Sequence, residues 1–159
     1  MNNAAGIFLT QAEFHHTYVC RMIADLSCDE LNFSNNVIKN NAVSIISHLL
    51  NARLKLLELA GHKAEGISVL GGAALVSRVF TPQECELVSA AWYRVHDVLT
   101  DVLSTLTEEI FTESCTFEVP FSDKSLRGVF AAYMTHEAYH CGQLGMIYSF
   151  AGKGRLMSV

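Results

Sequence analysis

Near its C-terminal end the chain reads His136, Glu137, Ala138, Tyr139, His140, then Cys141, Gly142 and Gln143, within a long apolar stretch of helical character. Two imidazoles four residues apart on a helix lie one above the other on the same face, so their nitrogens can converge on one cation. Two buried imidazoles without a cation would each need a separate hydrogen-bond partner. A third ligand has to come from another segment, and His48, set in the apolar run Ser44 to Leu50, is the best placed. Three histidines would leave coordination positions open for water or substrate, whereas a structural zinc site is closed by four protein ligands. Zinc is the first choice for such a donor set. Nickel or another first-row divalent ion would also bind, because affinity order alone does not select the metal.

Other residues compete for roles. Among His15, His16, His62 and His96, His62 follows a helix-ending glycine and His16 falls in the first turns of a helix, so both are expected to face solvent, and His96 is the main rival to His48. Read as HExxH, the segment His136 to His140 would make Glu137 the base of a zinc protease. That motif is short, needs a different fold around it, and places Glu137 about 100° around the helix from His136. Glu13 to His16 and Glu137 to His140 also share the ExxH spacing of a di-iron carboxylate bundle. Depth argues against it: Glu13 near the start of the first helix and His48 two turns into the second fall toward opposite ends of an antiparallel pair. Gln143 shares the face of His136 and His140 and could hydrogen-bond a ligand or substrate near the metal. Cys141 is rotated away from the pair, and Tyr133 and Tyr139 read as wall or core. No catalytic residue is singled out beyond the metal ligands.

The elements that must carry these residues are helical. Thr10 and Glu13 form a capping-box pattern, and Phe14, Tyr18, Val19, Met22, Ile23 and Leu26 recur at helical spacing, predicting a first helix over about 11–27. Residues 28–41, rich in Asn and Asp, read as a loop with Asn41 as the next N-cap. A second helix then carries His48 and ends at Gly61. Residues 61–80 fit a loop or a short helix equally well. Thr81, Pro82 and Glu84 combine an N-cap, a proline at the first helical position and a capping-box glutamate, so a third helix runs from there to about Leu106. Residues 107–122 show a hint of strand at Thr116, Phe117, Val119 and Phe121. Asp123 is read as opening a fourth helix that ends at Ala151 with Gly152 beyond it. The expected fold class is all-α: a four-helix bundle with long connections between helices, forming one domain over 1–159.

The segments Ser44 to Arg53, SIISHLLNAR, and His136 to Gly152, HEAYHCGQLGMIYSFAG, resemble the two signature segments of the DinB/YfiT-like superfamily. The resemblance implies a four-helix bundle holding a divalent metal through His48, His136 and His140. It also implies a class that includes S-transferases and isomerases using low-molecular-weight thiols, beside many members without known activity. An ion there would activate water or a low-molecular-weight thiol, giving a hydrolase or a thiol transferase acting on a small-molecule substrate. The competing expectation is a non-catalytic metal-binding stress-response protein. An open pocket beside the metal would favour the enzyme, and a metal walled in by side chains the alternative.

Composition sets the outer limits. The chain of 159 residues is 50% hydrophobic and only 17% charged, with a mean hydropathy of +0.25, yet no uncharged apolar run reaches the 18 residues of a membrane span. The apolar content therefore belongs in a core or a subunit contact, and a homodimer is expected. A net charge of −5 without a Lys/Arg cluster disfavours nucleic acid, whose phosphates demand a basic surface. Cys20, Cys28, Cys85, Cys115 and Cys141 are odd in number and show no CxxC pair, so neither a disulfide framework nor a thiolate zinc site is suggested. With no basic-then-apolar leader at the N-terminus, the expected location is the cytoplasm.

Overall fold

The computed structural model describes residues 3–67, 70, 78–117, 119–120 and 123–156. Six helices appear among them and no strand: α1 (Ala4–Asp25), α2 (Cys28–Leu31), α3 (Ala42–Leu59), α4 (Pro82–Thr105), α5 (Glu108–Thr112) and α6 (Leu126–Phe150). The four long ones, α1, α3, α4 and α6, form the bundle.

Their starts follow from side chains that satisfy the free N–H groups of the first turn. Asn41 caps α3 through Ser44 N, and Thr81 with Glu84 closes a reciprocal capping box at α4, with Pro82 in the first turn. Both are as the sequence predicts. Two other starts differ. Asn3 caps α1 through Gly6 N, so the helix begins six residues before the expected Thr10 cap, and the Thr10 hydroxyl instead donates back to Gly6 O within the helix. Ser125, not Asp123, caps α6. The Asp123 carboxylate accepts from the backbone N–H and hydroxyl of Ser125 and so props the cap from outside. Gly61 and Gly152 take left-handed φ values of 81° and 76° just past α3 and α6, as their positions require.

The connections also depart from expectation. Within the 28–41 loop, Ser27 and Glu30 form a capping box that starts α2. The described residues of 107–122 contain α5 rather than extended pairing, and the one bridge they form is Ser114 with Ser125. Phe121 of the expected strand, and residues 68, 69 and 71–77 of the undecided 61–80 stretch, lie outside the described residues.

Packing defines the topology. Helix α1 lies against α4 and α6, and α3 lies against the same two, so α1 and α3 occupy one diagonal and α4 and α6 the other. Phe8 meets Phe130, His15 meets Glu137 and Asp25 meets Tyr148, so α1 and α6 run parallel. Asn41 reaches Arg78 beside the start of α4, and Arg53 lies over Trp92, so α3 and α4 are parallel as well. Ala4 bonds Glu108 just beyond the end of α4, which sets α1 against α4. The order is up, down, down, up: the links from α1 to α3 and from α4 to α6 each span a diagonal, and the link from α3 to α4 joins two parallel neighbours. The core between the helices includes Leu49, Leu50, Trp92, Leu99, Phe130 and Leu144, all fully buried.

Candidate metal centre

Helix α3 brings His48 and helix α6 brings His136 and His140 to one point. The Nε2 atoms of His48 and His136 are 3.1 Å apart, and those of His140 and His136 are 3.0 Å apart. All three ligand atoms lie within 4.8 Å of one another, so the group could hold a metal ion. Three nitrogens bound tetrahedrally at about 2.0–2.1 Å from zinc stand roughly 3.3 Å apart, close to the spacing seen. Among the described residues no other three His, Cys, Asp or Glu side chains meet this condition. His140 is buried, and His48 and His136 are half-buried.

The orientation of His140 has a visible cause. Its Nδ1–H donates to Gln143 Oε1 at 2.7 Å, which leaves the Nε2 lone pair for an ion. Gln143 Nε2 in turn donates to the Tyr139 hydroxyl at 3.0 Å. Burial pushes His140 down to about 4, more strongly than the Gln143 hydrogen bond raises it. Burial also lowers His136, helped by its neighbour His48. Both imidazoles are therefore held neutral, the form a metal requires.

Glu137 faces elsewhere. Its carboxylate is buried and takes two bonds from Arg53, Nε to Oε1 at 2.5 Å and a terminal nitrogen to Oε2 at 3.1 Å, and a third from His15 Nδ1 at 2.9 Å. Burial alone would raise this carboxyl, but the Arg53 guanidinium outweighs it and holds the group down to about 2. An acid so occupied cannot serve as the base that the HExxH reading requires. Sequence reasoning turned Glu137 about 100° away from His136 but gave it no partner. It missed Arg53, whose only hint was a cation in an otherwise apolar helix.

The remaining histidines form a separate group. His96 accepts from Arg53 at Nδ1 and faces Glu13 through Nε2 at 3.3 Å, so it is no ligand of the three-histidine site. His16 stacks on His96 with ring centroids 3.6 Å apart. The solvent-facing position expected for His16 is corrected by the early start of α1, which carries it to mid-helix between α1 and α4. His62 is exposed, as expected. The di-iron reading fails for a reason other than depth: Glu13 also lies mid-helix, but it turns to His96, and Glu137 turns to Arg53 and His15. Cys141 is buried, and burial pushes its thiol up to about 12, consistent with a side chain outside the site.

An open cleft of about 1160 Å³ adjoins the centre. His48 and His136 form part of its wall, with Asn51, Leu54, Tyr133 and Tyr139 around them. Small-molecule sites typically measure about 300–1,000 Å³, so the room beside the imidazoles suffices for an organic substrate. No helix among the described residues is long and apolar enough to cross a membrane.

No curated protein and no solved structure matches the chain. One family model does, over residues 11–144: that of the DinB superfamily. The matched span contains all three histidines and the Arg53–Glu137 pair.

Proposed function

The chain belongs to the DinB superfamily, and from that membership and the three imidazoles beside an open cleft we propose that it is a metal-dependent enzyme. The proposed ligands are His48, His136 and His140. Zinc is the first choice, with nickel or another first-row ion as alternatives. When bound, such an ion supplies a Lewis acid with open positions that lowers the proton affinity of water or of a low-molecular-weight thiol, for hydrolysis or S-transfer respectively.

The chain's own residues supply the rest. Gln143 keeps the His140 Nε2 free of its proton, and the cleft leaves the His48 and His136 edge accessible to a substrate while Leu54 and Tyr133 offer it apolar surface. The single observation that carries the reading is this access. A non-catalytic metal-binding protein needs no such cleft, so that alternative has less support.

Elemental analysis and activity assays test the proposal together. The purified chain is expected to hold about one divalent ion per chain, and His48→Ala, His136→Ala and His140→Ala to lose it. The metal-loaded protein should then turn over a low-molecular-weight thiol with an electrophilic acceptor, or a hydrolysable ester or amide. Equal metal content in the wild type and a His136→Ala/His140→Ala variant would reject the site, and a metal-loaded protein inert in both assays would leave the non-catalytic reading. The proposal includes a second copy: Tyr139, Met146 and Phe150, spaced along one face of α6, are each more than half exposed. A solution mass twice that of the chain at micromolar concentration is expected.

A further inference from the structure

One buried group takes no part in the chemistry proposed for the metal: the Arg53–Glu137 ion pair, whose members stand close to the histidines on each of two helices. Arg53 is fully buried, yet it touches all three of the other long helices. It donates to Glu137 of α6 and to the backbone oxygen of Ala12 in α1, bonds His96 of α4 at 3.2 Å, and lies over the Trp92 ring at 4.1 Å. Glu137 is 1% exposed and adds His15 of α1 through its second oxygen. A pair so deep is a poor device for stability, since apolar residues of similar volume in its place are often as stable or more so. What it does provide is direction, because a bidentate guanidinium–carboxylate pair fixes the relative rotation of the helices that carry it.

That rotation matters to the neighbouring residues. Glu137 directly follows His136 and precedes His140 by three, and Arg53 follows His48 by five. Imidazole nitrogens stand about 6 Å from their helix axis, so a 10° turn of α6 would carry them about 1 Å, whereas metal–ligand distances tolerate only about 0.2 Å. Apolar packing around α6 does not set rotation so tightly, since volume-conserving apolar exchanges repack readily.

We propose that the buried Arg53–Glu137 pair is a positioning device that fixes the rotation of α6 against α3, so that His136 and His140 meet His48. It acts through the ligands and touches neither ion nor substrate. The inference rests on the metal-site reading above, and its experiment separates the two.

Three proteins are compared: the wild type, Glu137→Gln, and the apolar double variant Arg53→Met/Glu137→Leu, which leaves no buried charge unpaired. Melting temperature, cobalt(II) or zinc affinity by titration, and ring-to-ring nuclear Overhauser contacts between His48 and His136 in the metal-free protein are measured on each. The double variant is expected to melt near the wild type, to bind metal at least about tenfold more weakly, in line with losses seen when groups behind metal ligands are removed, and to lose the ring contacts. Glu137→Gln is expected to lose affinity at a temperature where circular dichroism shows it folded. Wild-type affinity and ring contacts in a folded double variant would overturn the positioning role, because a merely structural brace would leave both intact. A double variant that fails to fold would overturn it as well, the pair then being a stability element. Should the wild type bind no metal, the proposed function falls, and the ring contacts alone decide the positioning role.

Discussion

The three imidazoles differ in how they are held. His140 is fixed by Gln143, and Gln143 by Tyr139, a relay contained within α6. We expect Gln143→Leu to weaken metal binding by about tenfold with little change in fold, and Tyr139→Phe to do so by less, both read by competition with a chelating dye. Gln143 could be placed on the ligand face from the sequence, since it stands three residues after His140, but Tyr139 read as wall or core, and the hydroxyl bond that completes the relay appears only in the structure. His48 was legible only as the third ligand a pair demands. The Arg53–Glu137 contact was not, because its members are 84 residues apart and only the docking of α3 on α6 brings them together. The stacking of His16 on His96 was lost for a related reason, since it depends on where α1 begins.

At the level of helices, the sequence is clearest where a cap is chemically complete. Thr81, Pro82 and Glu84 announce α4 without ambiguity, and Thr81→Ala should cost about 1 kcal/mol in urea denaturation. Thr10 and Glu13 carry the same pattern yet lie inside α1, because nothing in residues 4–9 forbids a helix and Asn3 offers an earlier cap. Helices α2 and α5, of four and five residues, are too short for periodicity to register. Close packing of α1 on α6 gives a further test. A Cβ at Gly145 would run into the Tyr18 hydroxyl, so Gly145→Ala should be neutral or destabilising in the wild type. In a Tyr18→Phe background the obstruction is gone, and the same substitution should stabilise by about 0.5–1 kcal/mol through helix propensity. Equal effects in both backgrounds would show that Tyr18 does not pack where α6 approaches α1.

For the molecule as a whole, acid should be a stronger denaturant than an average composition implies. Burial pushes His16 and His140 from an ordinary value near 6.5 down to about 4, and lowers His96 and His136 as well. Between those values the unfolded chain binds more protons than the folded one, so stability rises with pH in this window and falls as pH drops from about 6.5 toward 4. Glu137, held low by Arg53, adds a further loss below its ordinary value of 4.5. The urea midpoint of chelator-treated protein should be clearly lower at pH 5 than at pH 7.5, and an unchanged midpoint would show that these histidines are not held neutral in the fold. The all-helical class and the presence of four long helices could be read from the sequence. Their diagonal crossovers could not, since an amphipathic pattern tells which face of a helix is buried but not which neighbour covers it.

The contact between His48 and His136 joins positions 88 residues apart. An ion gripping both would tether the chain much as a covalent cross-link does, and closing a loop of that size is worth about 4–5 kcal/mol in a chain-entropy picture. Withdrawing the ion would then loosen the whole bundle along with its chemistry, and scarcity of one trace element would shorten the protein's lifetime as well as silence it.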